Sequence, residues 1–185
     1  MSSTQSAEQT LQDMMRQYCI HLVNPDIDKL REVLTLLSDE QKLHILQQVF
    51  SVCMTPLHRA AFRDDTEIIS TLLSALQPSA NRLKLLMVDK FYTPLHVAAL
   101  FGHTESVKMI LDCLTANQQI QIMSLQWWGK TAIQNAESYR RTDTVRALRE
   151  YQHKADNLMR KEEQRHRQEQ QRINDEKKRQ RLSGI

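Results

Sequence analysis

The sequence predicts an all-α solenoid built from repeated units, and three observations support this fold class. The chain has 185 residues but only three glycines and four prolines, which indicates few tight turns and much helix. Thr55, Thr93 and Thr131 are each separated by 38 residues, and the residues around them recur. Apolar residues within each unit are spaced as on one face of a helix. We therefore expect four repeats, the first degenerate, with extra short helices between repeats and a charged C-terminal helix.

Three copies of the repeat align without gaps, and a weaker copy precedes them. The clear copies are "TPLHRAAFRDDTEIISTLLSAL", "TPLHVAALFGHTESVKMILDCL" and "TAIQNAESYRRTDTVRALREYQ". In the weak copy, "DKLREVLTLL" matches "ESVKMILDCL", and "RQYC" stands in place of "TPLH". The predicted organisation is a polar segment over 1–15, repeats over 16–54, 55–92, 93–130 and 131–152, and a charged tail over 153–185.

The first helix of each unit has clear start and stop signals. Thr93 is placed to be the N-cap, and Thr55 occupies the same place one repeat earlier. Pro94 falls at the first helical position, where the missing N–H costs nothing. Gly102 supplies a residue that tolerates the left-handed conformation at the end of the helix. The sequence thus predicts a short helix over roughly 94–101.

The second helix of each unit begins with a threonine followed by an acidic residue, as in Thr104-Glu105. A carboxylate there suits the positive end of the helix dipole, which favours a structural role over a catalytic one. An apolar stripe follows at helical spacing and predicts the face that packs against neighbouring units. Its residues in the third unit are Val107, Ile110, Leu111 and Leu114.

An insertion between the second helix and the next unit predicts a short third helix. Ser38 and Gln41 have the spacing of a capping box, as do Thr115 and Gln118. Pro78 lies where a first helical position is expected. Leucine, isoleucine and methionine in these segments are expected to cover one edge of the stack.

These units resemble the ankyrin repeat, whose hallmark is T-P-L-H-x-A-A followed by G-H-x-E-x-V. The match is closest over residues 93–111, whereas Asp64 replaces the glycine in the preceding unit. The last unit departs further, with Gln134 in place of the histidine and Glu137 in place of the second alanine. A polar residue at a stacking position suits a terminal repeat. The resemblance implies a non-enzymatic module that binds another protein.

The histidines His58 and His96 raise the question of a metal site. Equivalent residues of stacked units lie about 8–10 Å apart, whereas a zinc ion holds each imidazole at about 2.0–2.1 Å. The two rings therefore cannot share one ion. The resemblance instead implies that each imidazole bonds its N-cap threonine and a neighbouring backbone group.

Candidate binding residues follow the pair of small residues in each first helix. In the ankyrin family these positions and the tips before each repeat line the concave surface. Aromatic and arginine side chains there are candidate interface anchors, although the aromatics at the tips have the alternative of packing against the third helix. The candidates are Phe62, Arg63, Leu100, Phe101 and Tyr139 on the helices, with Phe91 and Trp127 at the tips.

The sequence contains no recognisable catalytic, cofactor or metal motif. A phosphate loop, H-E-x-x-H and G-x-S-x-G are all missing, and Cys19, Cys53 and Cys113 are scattered singly. No apolar run approaches the roughly 20 residues of a membrane span. Since the N-terminus lacks the features of a secretory signal, we expect a cytoplasmic or nuclear, monomeric protein without cofactor or metal.

The tail holds the positive charge of the chain. From residue 153 it has ten Lys and Arg against six Asp and Glu, whereas residues 1–152 have fifteen against sixteen. Pairs such as Glu163 and Arg167 favour an exposed helix. Three roles are open: a solvated extension, a contact with nucleic acid or an acidic membrane surface, or the start of a longer helix. For the second role the candidates are Arg165, Arg167, Arg172, Lys177, Lys178, Arg179 and Arg181.

Overall fold

The computed structural model describes residues 3–50, 54–88 and 92–183. Within these ranges the chain forms eleven α-helices and no β-strand, which confirms the predicted all-α solenoid. The helices are α1 (Ser3–Arg16), α2 (Ile27–Thr35), α3 (Asp39–Leu46), α4 (Pro56–Arg63), α5 (Thr66–Ser74), α6 (Ser79–Leu86), α7 (Pro94–Phe101), α8 (Thr104–Asp112), α9 (Ala116–Ser124), α10 (Ala132–Ser138) and α11 (Thr142–Ser183).

The helices form layers that run along the stack. The first helices α4, α7 and α10 pack side by side in an inner layer, and the second helices α2, α5, α8 and α11 form an outer layer. The third helices lie along one edge, where α3 contacts α6 and α9 contacts α11. One continuous apolar core extends from Ala7 to Leu148 and joins all the repeats.

The N-caps of the first helices are the predicted threonines. The hydroxyl groups of Thr55 and Thr93 accept hydrogen bonds from the backbone N–H groups of His58 and His96, three residues on. Proline occupies the first turn in both helices. Thr131 makes the same bond in α10, where the Gln134 side chain completes a capping box. Each inner helix thus begins at the residue that the repeat predicts.

Removal of this cap gives a direct test of the local assignment. We expect Thr93→Ala to lower the free energy of unfolding by about 1 kcal/mol, because the hydroxyl is lost from a buried helix start. Urea denaturation measures the change, and Thr93→Ser, which keeps the hydroxyl, is the matched control. An unchanged denaturation midpoint for Thr93→Ala contradicts the cap.

The inner helices α4 and α7 each end in a residue of left-handed conformation, as predicted for Gly102. Gly102 has φ +83°, and Asp64 takes the same place after α4 with φ +57°. A Cβ atom on Gly102 would also come within 2.7 Å of Cδ of Arg141, which packs across it. Glycine therefore serves both the turn and the close approach of the next repeat. Asp64 adopts the left-handed conformation although it is not a glycine. Its carboxylate accepts a hydrogen bond from Ser106 at 2.6 Å.

The inserted segments form the predicted third helices. Capping boxes are present at Ser38 in α3 and at Thr115 in α9. The helix α6 begins one residue later than expected, because Pro78 occupies the N-cap rather than the first helical position. Buried residues on the three helices close the edge of the core, namely Ile45, Leu46, Leu85, Leu86, Ile122 and Met123.

Polar contacts tie these third helices to the next repeat. Lys42 donates to the carbonyl of Ala75 at 2.8 Å, and Arg82 donates to that of Cys113 at 3.2 Å. Each cation thus meets the negative C-terminal end of an outer helix. Burial would raise the pKa of Asp39, but hydrogen bonds from Gln77, Asn81 and Lys42 hold that pKa below its ordinary value.

Residues 3–15 of the segment expected only as polar lie within α1. Its Ala7, Leu11 and Met15 are buried in the common core, and the helix packs on α2 and α3. A π-helical turn over Gln17–His21 continues α1 and contacts α4. The degenerate first repeat therefore has α1 and this turn where the later repeats have a capped inner helix.

The last outer helix and the tail form a single helix, α11, so the expected boundary at residue 152 falls inside it. Ala147, Leu148 and Ala155 are buried against the stack, whereas residues 160–172 and 174–180 are exposed. Glu163 and Arg167 approach within 3.7 Å, as their spacing predicts. None of the helices in the described ranges combines the length and apolar character that a membrane crossing needs.

Candidate functional site

The candidate binding residues lie on the outward face of the inner layer. Residues three and four apart share one face of a helix, so position 59 of α4 groups with Phe62 and Arg63. The corresponding groups are Val97, Leu100 and Phe101 on α7, and Asn135, Ser138 and Tyr139 on α10. Since these three helices are neighbours, the nine positions lie along one side of the inner layer, where Val97 and Asn135 are buried and the other seven reach solvent at least in part. We call these nine residues the inner face.

Two aromatic rings join the centre of the inner face. Phe62 and Phe101 pack edge to face with their ring centroids 4.7 Å apart, and the ring of His103 stacks 6.0 Å from Phe101. Phe101 is 38% exposed and Tyr139 is 57% exposed, whereas Phe62 and Leu100 are half-buried. The aromatic edges that reach solvent are therefore supplied mainly by Phe101 and Tyr139.

Two arginines give one end of the inner face a positive charge. The guanidinium of Arg59 lies 5.6 Å from the ring centre of Phe62, and that of Arg63 lies 5.9 Å from the ring centre of Tyr18. Arg63 is exposed and donates a long hydrogen bond, 3.4 Å, to the carbonyl of Leu22. Both guanidinium groups are thus held in place by aromatic contacts.

The tips before the repeats carry a second aromatic cluster. Tyr92 stacks on His58 with centroids 5.3 Å apart, and Trp127 packs on Tyr92 at 4.7 Å. Trp127 is therefore half-buried within the protein, while its neighbour Trp128 is 89% exposed. The other predicted tip residues, including Phe91, lie outside the described residues.

The backbone explains the exposure of Trp128. The N–H and carbonyl groups of Trp127 and Lys130 exchange two hydrogen bonds, 2.8 and 3.0 Å. Between them Trp128 has φ +52° and Gly129 has φ +72°. Two positive φ values are typical of a type I′ hairpin turn. The turn directs the indole into solvent at the cost of a left-handed backbone, which is uncommon for a bulky residue.

The two TPLH histidines connect adjacent repeats. Nδ1 of His58 lies 2.8 Å from the Thr55 hydroxyl, and Nε2 lies 2.9 Å from the carbonyl of Tyr92. His96 repeats the pattern with Thr93 at 2.9 Å and the carbonyl of Leu125 at 3.1 Å. Because a carbonyl only accepts, Nε2 carries the proton in both rings. Each imidazole therefore fixes the start of its helix to the tip of the next repeat.

Neither the thiols nor the acidic groups form a reactive centre in the described ranges. Burial raises the pKa of Cys19 to about 12 and that of Cys113 to about 11, so both remain protonated at neutral pH. In those ranges no three His, Cys, Asp or Glu side chains are grouped as metal ligands. The chemistry available on the inner face is thus that of recognition through aromatic, apolar and cationic contacts.

Sequence reasoning missed several features of this surface. Arg59 and Asn135 occupy equivalent positions of their repeats, and alignment of the repeats identifies that equivalence but not their contacts. Lys130 reaches the inner face by donating to Ser138 at 2.9 Å, a contact that depends on the turn. Tyr92 directly precedes the second TPLH motif, and no signal in the sequence indicates that it packs between His58 and Trp127.

Comparison with known proteins agrees with this architecture. The family model described as "Ankyrin repeats (3 copies)" matches residues 28–122 and 57–161. Among curated proteins, none matches the chain. The two matched ranges together cover well over half of the sequence and include all three helical layers. The chain belongs to the ankyrin-repeat family.

Proposed function

We propose that this protein is an adaptor that binds a partner protein on the inner face of its stack. Ankyrin repeats are generally modules of protein–protein interaction. The observation that carries the proposal is that Phe101 and Tyr139 remain exposed beside Arg63 on one surface of three packed helices. Aromatic residues and arginine are the side chains that most often dominate binding energy at interfaces.

The rigidity of the surface also supports binding. The inner helices are fixed by buried caps and by the histidine bonds between repeats. A rigid surface loses little conformational freedom on association, so more of its contact energy contributes to affinity. The exposed Trp128 at the hairpin tip lies beside Lys130, whose ammonium contacts Ser138 of the inner face. We place Trp128 at the edge of the same interface.

Affinity capture with paired variants tests the proposal. Immobilised wild-type chain is compared with the double variant Phe101→Ser, Tyr139→Ser by quantitative mass spectrometry of retained proteins, with and without nuclease. We expect specific partners to be lost, since one hot-spot truncation costs about 2 kcal/mol, or roughly thirtyfold in affinity. The matched control is Leu36→Ser, Leu158→Ser, because these leucines are 52% and 50% exposed elsewhere. Equal retention by both double variants contradicts binding at the inner face.

A second function rests on the exposed part of α11. With 100° between successive residues, seven basic side chains fall on one half of this helix beside a single acid, Asp175. Over residues 160–180 the opposite half of the helix carries Glu162, Glu163, Glu169 and Glu176 with one Lys or Arg, Lys177. Such segregation favours contact with an anionic surface, either nucleic acid or membrane. The basic set is Arg160, Lys161, Arg165, Arg167, Arg172, Lys178 and Arg179.

The same capture experiment separates the two functions. A variant with these seven basic residues changed to Gln keeps the inner face intact. If retained material depends on these residues or disappears with nuclease, while the inner-face variant behaves as wild type, the helix is the functional element. If partner proteins are lost only from the double variant Phe101→Ser, Tyr139→Ser, the result supports the adaptor function.

A further inference from the structure

The exposed part of α11 separates its charges around the helix axis. Residues 160–180 contain eight Lys and Arg and five Asp and Glu, and all of them are exposed. Successive residues of a helix are about 100° apart around the axis, which assigns each side chain to a direction. Seven of the eight cations fall on one half of the helix together with a single acid, Asp175. We call this half the basic face.

The seven cations of the basic face form two rows. Arg160, Arg167 and Lys178 lie within about 20° of one another around the axis. The other four lie within about 40° of one another, and the two rows are roughly 120° apart. Together the rows extend about 28 Å along the helix. The second row is Lys161, Arg165, Arg172 and Arg179.

A row of hydrogen-bonding side chains lies between the two rows of cations. It consists of Gln164, Gln168, Gln171 and Asp175, which fall within about 60° of one another around the axis. The glutamine amides both donate and accept, and the carboxylate accepts. The one acid of the basic face therefore lies in its central row and not among the cations.

The basic face points away from the stack. Ala155 is buried against the stack, and Gln164 follows nine residues later, about 180° around the axis. Two cations pair with acids of the opposite half, Arg167 with Glu163 at 3.7 Å and Arg172 with Glu169 at 3.4 Å. Exposed pairs of this kind contribute little free energy, so an external anion can replace the acid.

The dimensions and the order of the rows match the major groove of duplex DNA. A helix with its side chains is about 10–12 Å across, and the groove is about 12 Å wide. A helix in the groove has one phosphate strand on each side, where two rows of cations find their partners. Its central row faces the base edges, where glutamine pairs with adenine and a carboxylate accepts from cytosine.

Other anionic partners fit this face less well. Single strands stack their bases on aromatic rings, and residues 160–180 contain no Phe, Tyr or Trp. The major groove of duplex RNA is too narrow and deep for side chains to read. A helix that lies on a membrane buries an apolar face, whereas Ile173 is the single apolar residue of this stretch and falls on the opposite half.

From these observations we infer that the basic face of α11 binds duplex DNA by lying in its major groove, with a row of cations on the phosphates of each strand and the central row on the base edges. This inference rests on the second proposed function and names its anionic partner. It is independent of the adaptor function of the inner face.

Fluorescence anisotropy of a labelled twenty-base-pair DNA titrated with the full-length chain tests the inference. We expect the logarithm of the binding constant to fall with that of the salt concentration with a slope of about −4 to −6, because each phosphate contact contributes about −0.9. Duplex RNA, single-stranded DNA and phosphatidylserine vesicles are parallel probes. Each should bind about tenfold more weakly than duplex DNA, or weaker still.

Charge variants locate the contact. The double variant Lys161→Gln, Arg165→Gln should make the salt slope shallower by about 2 and weaken binding about tenfold per lost contact at 0.1 M salt. The matched control, Lys29→Gln with Lys84→Gln, removes the same charge from exposed positions of the stack and should leave the slope unchanged. Circular dichroism checks that the helix is retained. Equal weakening by both double variants overturns the inference, because binding then follows net charge alone.

The central row has a test of its own. The triple variant Gln164→Ala, Gln168→Ala, Gln171→Ala keeps every charge and should keep the salt slope. Selection from a library of random duplex DNA should enrich sites with adenine for the wild type, and the triple variant should lose about tenfold in affinity for them per base contact. If the triple variant selects the same sites as the wild type with the same affinity, the central row does not face the bases and the inference is overturned.

The remaining outcomes separate this inference from the proposed functions. Equal or tighter binding of duplex RNA, single strands or vesicles overturns duplex DNA as the partner and leaves contact with an anionic surface in place. If none of the four probes binds, the inference and the second proposed function both fail. The inner-face variant Phe101→Ser, Tyr139→Ser should bind DNA as the wild type does. Its loss of DNA binding would assign DNA to the inner face and overturn the inference.

Discussion

Leu11→Ala is expected to destabilise the protein by about 2–5 kcal/mol, although it changes a residue ahead of the recognisable repeats. The Leu11 side chain is 0% exposed and belongs to the same core as the repeat leucines. Its loss leaves a cavity in the core beneath α1, which packs on α2 and α3, and the surrounding helices relax only partly around such a space. Urea denaturation followed by circular dichroism measures the difference.

The control for this prediction lies on the same helix. Gln9 is exposed, and its side chain donates within α1 to Asp13 at 3.1 Å. Gln9→Ala should change the free energy of unfolding by no more than a few tenths of a kcal/mol. If Leu11→Ala matches Gln9→Ala, α1 is not part of the cooperative stack. A loss confined to Leu11→Ala shows that the stack begins with α1.

The helix α1 shows why some parts of the fold could be predicted from the sequence and others could not. The later repeats can be recognised in the sequence because Thr, Pro and Gly at fixed positions mark where an inner helix begins and ends. Ala7, Leu11 and Met15 are spaced at i, i+4 and i+8, but Ser, Gln and Thr surround them and no cap motif precedes them. A pattern of three apolar residues in a polar segment is also compatible with an isolated helix. Only the tertiary packing distinguishes a helix that belongs to the stack from an isolated helix.

The candidate site was predictable in position more than in detail. The repeat alignment places Arg63, Phe101 and Tyr139 at equivalent positions, with Phe62 directly before Arg63, and the helices bring these positions to one side of the inner layer. The exposure of each ring depends on its neighbours, which sequence does not specify. Trp127 and Trp128 are adjacent and identical in chemistry, yet one packs on Tyr92 and the other projects into solvent. The difference arises from the turn, whose left-handed residues set the direction of each indole.

His96→Ala is the second change for which we expect a large loss of stability. The imidazole lies between the Thr93 hydroxyl and the carbonyl of Leu125, and it is fully buried. Its removal leaves the Leu125 carbonyl without the imidazole donor and the Thr93 hydroxyl proton without an acceptor, at a cost of about 1–3 kcal/mol for each buried group left unpaired. His96→Gln should lose less, because Gln134 already caps α10 at the equivalent position. Urea denaturation at pH 7.5 compares the two variants.

The same histidine makes stability depend on pH in a defined direction. Burial lowers the pKa of His96 below its ordinary value, against the opposing effect of its hydrogen bond to Leu125. In the unfolded chain the imidazole titrates near its ordinary pKa of about 6.5. As the pH falls below that value, the unfolded chain binds the proton first, so the folded state loses stability. This contribution is complete above pH 6.5 and decreases between there and the lowered pKa of the folded protein.

His96→Gln removes this group and isolates its effect. We expect the loss of stability between pH 7.5 and 5.5 to be smaller in His96→Gln than in the wild type, within the limit of about 1.4 kcal/mol per pH unit that one proton allows. His166→Gln is the matched control, since it removes an exposed histidine from α11. The pKa of Asp39 is lowered, so this carboxyl group titrates only in more acidic solution. It therefore does not contribute to the change in stability between pH 7.5 and 5.5. A pH dependence that is identical in wild type and His96→Gln would show that the buried imidazole accepts its proton as readily in the folded stack as in the unfolded chain.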